Sequence, residues 1–170
     1  SPPLAMAPFD EKTAKAHQTA WAKHLNVPTV QTNSINMKFA LIPPGEFEMG
    51  DHHGFVDPKH GGDETPVHLV RLDAFAVGIH HVTTQQYCEF LSSALAQRSI
   101  EVRGGGVYLP GGSELLAETR EMSQYSRIGW DGQMFSVLDG KQDHPIVCIR
   151  WPGAAVYCNW LSAQRGFSPC

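Results

Sequence analysis

The sequence predicts an α+β domain in which short antiparallel strands are interspersed with separate helices. Apolar residues recur at three- and four-residue steps in "VTTQQYCEFLSSALAQ" and at alternate positions in "TPVHLVRLDAFAVG". Between such segments, Gly and Pro mark local turns, as in "IPPGEF" and "WDGQMF". The resulting order is helix, hairpin, strand, helix, glycine-rich hairpins, strand, helix, which is not the strict alternation of a doubly wound sheet.

Residues 1–9, "SPPLAMAPF", are rich in Pro and Ala and read as a linker. "DEKTAKAHQTAWAKHL" follows with helical composition, Asp10 placed to cap its first turn and His17, Trp21 and Leu25 on one narrow face. That helix is expected to lean on the domain from outside, with His17 as a packing residue. "MKFALIPPGEFEMG" (37–50) reads as two strands joined at Pro43-Pro44-Gly45, a hairpin turned by prolines with fixed φ. Residues 65–78 read as one strand with one face in the core, placing His68 beside Val70 and Leu72 as a hydrogen-bonded core histidine.

Thr83 and Gln86 form a capping box, so a helix should start there, burying Tyr87, Phe90, Leu91, Ala94 and Leu95. Gly104-Gly105-Gly106 and Gly111-Gly112 match neither phosphate-binding glycine pattern and read as loops, and Asp131-Gly132 signals a hairpin. Ile146–Ile149 reads as a short strand. The last helix has Pro152 in its first turn, a buried face of Ala154, Ala155, Cys158 and Leu161, and Gly166 as its left-handed cap.

Composition narrows the function. Apolar residues make up 42% of 170, enough for a core, and thirteen Lys and Arg against seventeen Asp and Glu leave no basic run for nucleic acid. Apolar runs are far shorter than the roughly twenty residues a membrane span needs. The chain opens without an initiator Met or an apolar leader, and is expected to be processed or cut from a longer protein. Its compartment stays open, a periplasmic or secreted setting included.

Candidate chemistry is concentrated in "DHHGFVDPKHGGDE" (51–64), which holds three histidines and four carboxylates. His52 and His53 are adjacent and cannot easily turn both rings to one ion, and His60 lies beyond a Gly- and Pro-containing stretch. The segment reads as a solvated loop, with a two-ligand metal contact as the alternative and Asp63-Glu64 as carboxylates that tie the loop down. His80-His81 form a weaker candidate pair. The four cysteines, Cys88, Cys148, Cys158 and Cys170, show no C-x-x-C spacing. Cys88 and Cys158 read as small buried hydrophobes on helical faces.

Taken in order, four stretches resemble the formylglycine-generating enzyme family, also called the sulfatase-modifying factor family, whose fold is a variant of the C-type lectin fold. "NSINMKFALIPPGEFEMG" is similar to its N-S-I-G-M-x-F-x-x-I-P-x-G-x-F-x-M-G hairpin, with Asn36 in the glycine's place. "DETPVHLVRL" is similar to D-E-x-P-x-H-x-V-x-L, and "VTTQQYCEF" to a helix normally entered through E-V-T, where His81 stands for the glutamate. "HPIVCIRWPGAAVYCNWLS" is similar to the strand and second helix P-V-x-x-V-x-W-x-x-A-x-x-Y-C-x-W-L. The resemblance covers residues 27–170, with 1–26 as linker and N-terminal helix, and "AKAHQTAWAKHLNVP" looks like linkers preceding such domains in multidomain bacterial proteins.

The family's later stretches, R-L-P-T-E-x-E-W-E, G-N-V-W-E-W and R-G-G-S-W, do not occur here. The resemblance places the copper-binding cysteines of catalytic members, and most of their calcium ligands, in that region. It therefore carries no catalytic, cofactor-binding or metal residue onto this chain, although copper, iron or calcium belong to complete relatives. The resemblance implies a packing or disulfide role for Cys158, and Trp151, Tyr157 and Trp160 match framework positions. Two functions follow as expectations: part of a metal- and oxygen-dependent oxidase acting on a cysteine or thiol substrate, or a lectin-like binding or scaffold module without catalysis. In either case the chain is expected to be the N-terminal part of its domain. It is expected to pair with the C-terminal half or another protein chain, to meet a protein or peptide substrate, and to aggregate or associate when isolated.

Overall fold

The computed structural model describes residues 1–52 and 64–164 and divides into two compact units, Ser1–Ile79 and His80–Cys170. The first unit is built on one long, bent pair of strands. In chain order it holds β1 (Ala5–Met6), α1 (Glu11–Leu25), β2 (Val30–Thr32), β3 (Lys38–Ile42), β4 (Gly45–Met49), β5 (His68–Leu72) and β6 (Phe75–Gly78). Its sheets run β1-β4-β5 and β2-β3-β6.

The expected hairpin at Pro43-Pro44 is replaced by a corner. β3 and β4 do not pair with each other; β3 pairs antiparallel with β6, and β4 with β5. The register passes through the corner without a slip, because Ile42 faces Phe75 and Gly45 faces Leu72. Pro43-Pro44 thus stands opposite Asp73-Ala74. Two consecutive residues without an amide cannot donate to a ladder, so the pairing breaks there and the strands bend instead of turning back. Residues 37–50 form one arm of the hairpin, residues 68–78 the other, and the connection is the histidine-bearing segment between them.

The turn entering β3 explains the first motif. The Asn33 side-chain oxygen accepts the amides of Ile35 at 3.1 Å and Met37 at 2.8 Å. Asn36 sits at φ 60°, a left-handed conformation that asparagine tolerates far better than most residues. The exchange of glycine for Asn36 therefore preserves the backbone.

α1 is capped as expected, with the Asp10 carboxylate accepting the Thr13 amide at 2.8 Å. Trp21 and Ala22 are buried with Leu41, while Leu25 is exposed. One narrow helix covers only a strip of sheet, and the strand expected to have a core face remains largely open: Leu69 is 63% exposed, and Leu72, Phe75 and Val77 are exposed as well. His68 shares that exposure. It is not a core histidine, although its Nδ1 lies 3.0 Å from the Pro66 carbonyl. The expected linker stretch contributes β1, which pairs in parallel with β4.

The second unit carries the larger core. It contains α2 (Thr84–Ala96), β7 (Glu101–Arg103), β8 (Gly106–Tyr108), β9 (Leu115–Glu118), β10 (Ile128–Trp130), β11 (Phe135–Val137) and α3 (Trp151–Ala163). The capping box forms, with the Gln86 amide on Thr83 Oγ1 at 3.2 Å and the Thr83 amide on Gln86 Oε1 at 2.9 Å. Tyr87, Phe90, Leu91 and Ala94 are buried as their spacing predicts. Gly104 and Gly105, both at positive φ, make the two-residue turn between β7 and β8. Asp131 opens the β10–β11 turn, its carboxylate accepting the amides of Gln133 at 2.8 Å and Met134 at 2.7 Å.

Two expectations change near the end. In place of a strand over 146–149 there are two isolated bridges, one of Thr83 with the preceding Pro145 and one of Ala117 with Ile149. Cys148 at φ 60° interrupts the two-residue alternation that a strand requires. α3 does begin around Pro152, but Gly153 and Tyr157 are buried with Trp160 packed beside them, while Cys158 is exposed and Trp151 is 82% exposed. A Cβ on Gly153 would lie 2.2 Å from the Leu116 carbonyl, so this glycine brings α3 against β9 and sets which face turns inward. The proposed cap Gly166 lies outside the described residues.

Phe90 is 1% exposed among Tyr87, Tyr157 and Trp160, and Phe90→Ala should cost about 3–5 kcal/mol in urea unfolding, against about 1 kcal/mol for Thr83→Ala at the helix cap. The Met134 and then the Gln133 amide hold the Asp131 carboxyl below its ordinary value. A lowered folded value means that its contribution to the turn is complete above the unfolded value of about 3.9 and is lost as pH falls through the folded one. Amide protection at Gln133 and Met134, followed by NMR, should accordingly fall only below about pH 4.

Candidate functional site

Of the sequence's candidate residues, the described part of the bent hairpin carries His52 and Glu64, at the base of the connection. At the end where the two arms are joined, the Asp51 amide donates to the Glu64 carbonyl at 2.9 Å, and Gly50 reaches φ 132°, so the main chain ties the base of the connection. His52 is exposed at that base, whereas His53, His60 and Asp63 lie outside the described residues. His80 and His81 are exposed at the start of the second unit. Among the described residues no group of three His, Cys, Asp or Glu side chains gathers to hold a metal ion.

The thiols differ sharply in setting. Cys88 is buried in the aromatic core, and burial pushes its thiol above the ordinary value. Its thiol is therefore kept neutral among packed rings, away from the solvent. Cys148 is half-buried, with its Sγ 3.7 Å from Ser123 Oγ. Burial also raises both core tyrosines, Tyr87 strongly and Tyr157 to about 12, which keeps their hydroxyls neutral as packing groups. Tyr87 donates to the Gly153 carbonyl at 3.3 Å.

A cavity of about 650 Å³ opens in the first unit under the proline corner, walled by Phe9, Leu41, Pro43, Phe47, Leu72 and Phe75. Its polar neighbours are already engaged. Lys15 pairs with Glu11 at 2.5 Å, the Gln18 amide donates to the Leu41 carbonyl at 2.8 Å, and Glu46 faces Arg71 at 3.8 Å. His17 lies against Phe9, ring centroids 5.7 Å apart, which bears out its packing role. Such a lining suits uncharged, apolar groups and offers no paired nucleophile and base. Sequence alternation placed Leu72 on a core face, and the Pro-Pro-Gly break read as a turn, so the opening itself was not legible.

The motif order and the Asn33 turn now have a structural counterpart, and a family model described as "Sulfatase-modifying factor enzyme 1-like domain" matches residues 25–165. The chain belongs to this family. Serine/threonine-protein kinase Pkn1 of Chlamydia trachomatis is 30% identical over 137 residues, covering 79% of this chain and 19% of the kinase. The formylglycine-generating enzyme of Streptomyces coelicolor is 28% identical over 134 residues, covering 72% of this chain and 42% of the enzyme. The structure of PvdO from Pseudomonas aeruginosa overlaps 81% of this chain and 44% of its own, at 21% identity and a TM-score of 0.45. The chain thus spans less than half the length of each of these relatives. Its α+β character and sulfatase-modifying-factor fold are as the sequence indicated.

The burial contrast predicts an order of thiol reactivity. Iodoacetamide mapping of the folded protein should alkylate exposed Cys158 first and Cys148 next, with Cys88 labelled only after denaturation.

Proposed function

We propose that this chain supplies the framework portion of a sulfatase-modifying-factor domain whose parent protein oxidises a cysteine side chain in a protein or peptide substrate. In that reaction the side chain becomes an aldehyde and its sulfur leaves as sulfide, with dioxygen taking electrons from the cysteine and from a thiol co-reductant. The carrying observation is membership across residues 25–165 combined with the match to a formylglycine-generating enzyme. The described thiols and histidines do not form the reactive centre in this reading; residues outside this chain provide it, and they or another chain cover the exposed apolar strands.

A second reading is a recognition module without oxidase chemistry. The match to kinase Pkn1 supports it, as does a cavity suited to apolar binding without catalytic groups. The parent protein, incubated with copper, dioxygen, a thiol and a cysteine-containing peptide, should yield an aldehyde trapped by hydrazide and read by mass spectrometry. Residues 1–170 alone should yield none. Aldehyde from residues 1–170 alone overturns the framework assignment, and a folded parent that binds the peptide without converting it favours the module.

A further inference from the structure

The dipeptide Asp-Gly occurs at Asp131-Gly132 and again at Asp139-Gly140, on either side of β11. An aspartate followed by glycine is open to internal cyclisation, because no side chain on the second residue shields its amide nitrogen. The two pairs stand in different settings. The Asp131 carboxylate is occupied, accepting the Gln133 amide at 2.8 Å and the Met134 amide at 2.7 Å, and the Asp131 amide donates to the Met134 carbonyl at 3.3 Å. Asp139 is held by no such bonds. Among the described residues its carboxylate accepts no hydrogen bond, and neither its amide nor that of Gly140 donates one. The turn is closed around the pair, by the Lys141 amide on the Leu138 carbonyl at 3.0 Å. Asp139 and Gly140 are both exposed, Gly140 sits at φ 70°, and a Cβ added to it would meet nothing within 4 Å.

We propose that Asp139-Gly140 is a site of spontaneous isoaspartate formation, and that the fold protects Asp131-Gly132 from the same reaction. The Gly140 amide nitrogen attacks Cγ of Asp139 in its neutral acid form. A C–N bond forms, the bond from Cγ to its hydroxyl breaks, and the hydroxyl leaves with the amide proton as water. The product is a five-membered succinimide. Water then adds to one of the two ring carbonyls, giving back aspartate or giving isoaspartate, whose main chain runs through Cβ. The net composition is unchanged, and no oxidant, metal or second protein takes part. At Asp131 the carboxyl must first leave two amides, and those of Met134 and Gln133 favour its ionised, unreactive form. Cyclisation there waits on local opening of the β10–β11 turn, whereas at Asp139 it waits only on rotation within an exposed turn. The reaction is independent of the oxidase and module readings, since neither uses these dipeptides.

The folded parent protein is held at physiological temperature and mildly acid pH and then digested with trypsin, whose fragment of residues 128–141 carries both dipeptides. Electron-transfer fragmentation in the mass spectrometer locates isoaspartate within that fragment. Conversion at Asp139 should run about tenfold or more ahead of conversion at Asp131. In guanidinium chloride, where the β10–β11 turn is lost, the two rates should converge. Equal rates in the folded protein, or a faster rate at Asp131, overturn the proposal. So does a preference for Asp139 that persists undiminished in guanidinium chloride, because neighbouring residues and not the fold then set it. Asp139→Glu keeps the charge but cannot close a five-membered ring. It should remove most of the label that isoaspartyl methyltransferase transfers from S-adenosylmethionine to the fragment from folded protein, and undiminished labelling overturns the assignment.

Discussion

The first unit depends on a ladder whose register survives a break in its own hydrogen bonding. Pro43 and Pro44 supply no amide, yet Ile42 still faces Phe75 and Gly45 still faces Leu72. A slip of one residue would turn every side chain on one arm to the other face, so keeping the register across the corner keeps both halves of the hairpin consistent with one packing arrangement. The bend has two consequences. It opens the cavity beneath the prolines and sets Gly45 at the edge where β1 pairs.

The second unit is held differently, by rings. Tyr87 and Tyr157 stack with centroids 5.5 Å apart, and Phe90 meets Tyr157 edge-on at 5.5 Å and Trp160 at 5.6 Å. Offset and edge-on aromatic pairs add to the stabilisation from burial alone. Gly153 admits the helix to that contact distance, and the Tyr87 hydroxyl finds its acceptor on the same glycine. A buried hydroxyl without such a partner would cost about 1–3 kcal/mol. The same burial that raises these tyrosines also raises Cys88, which makes it the most protected of the described thiols.

Family membership and framework character fit together in this light. The family motifs in the chain serve turns, caps and close approaches: Asn33 organises a turn, Thr83 and Gln86 cap a helix, and Gly45 permits a crossing. Asn36 and His81 depart from the usual residues without disturbing either role. Asn36 takes the left-handed conformation a glycine would take, and His81 is exposed before a helix whose cap comes from Thr83. Such substitutions say little about chemistry, because the positions carry geometry.

The sequence alone determined the local elements. Asp10, Thr83 and the Asp131-Gly132 turn were legible because each acts within four residues, through hydrogen bonds that its own side chain or backbone dictates. The stripe of α2 was legible because only one of its faces is apolar. Tertiary structure decided the rest. α3 is apolar nearly all round, so periodicity could not choose its buried side, and the close approach of Gly153 to Leu116 chose it. The proline corner read as a turn because a missing amide is compatible with turning back or bending, and only the distant arm at 68–78 selected the bend. The cavity and the seated N-terminal strand likewise arise from residues far apart in the chain, whose meeting depends on long-range pairing and not on local preference.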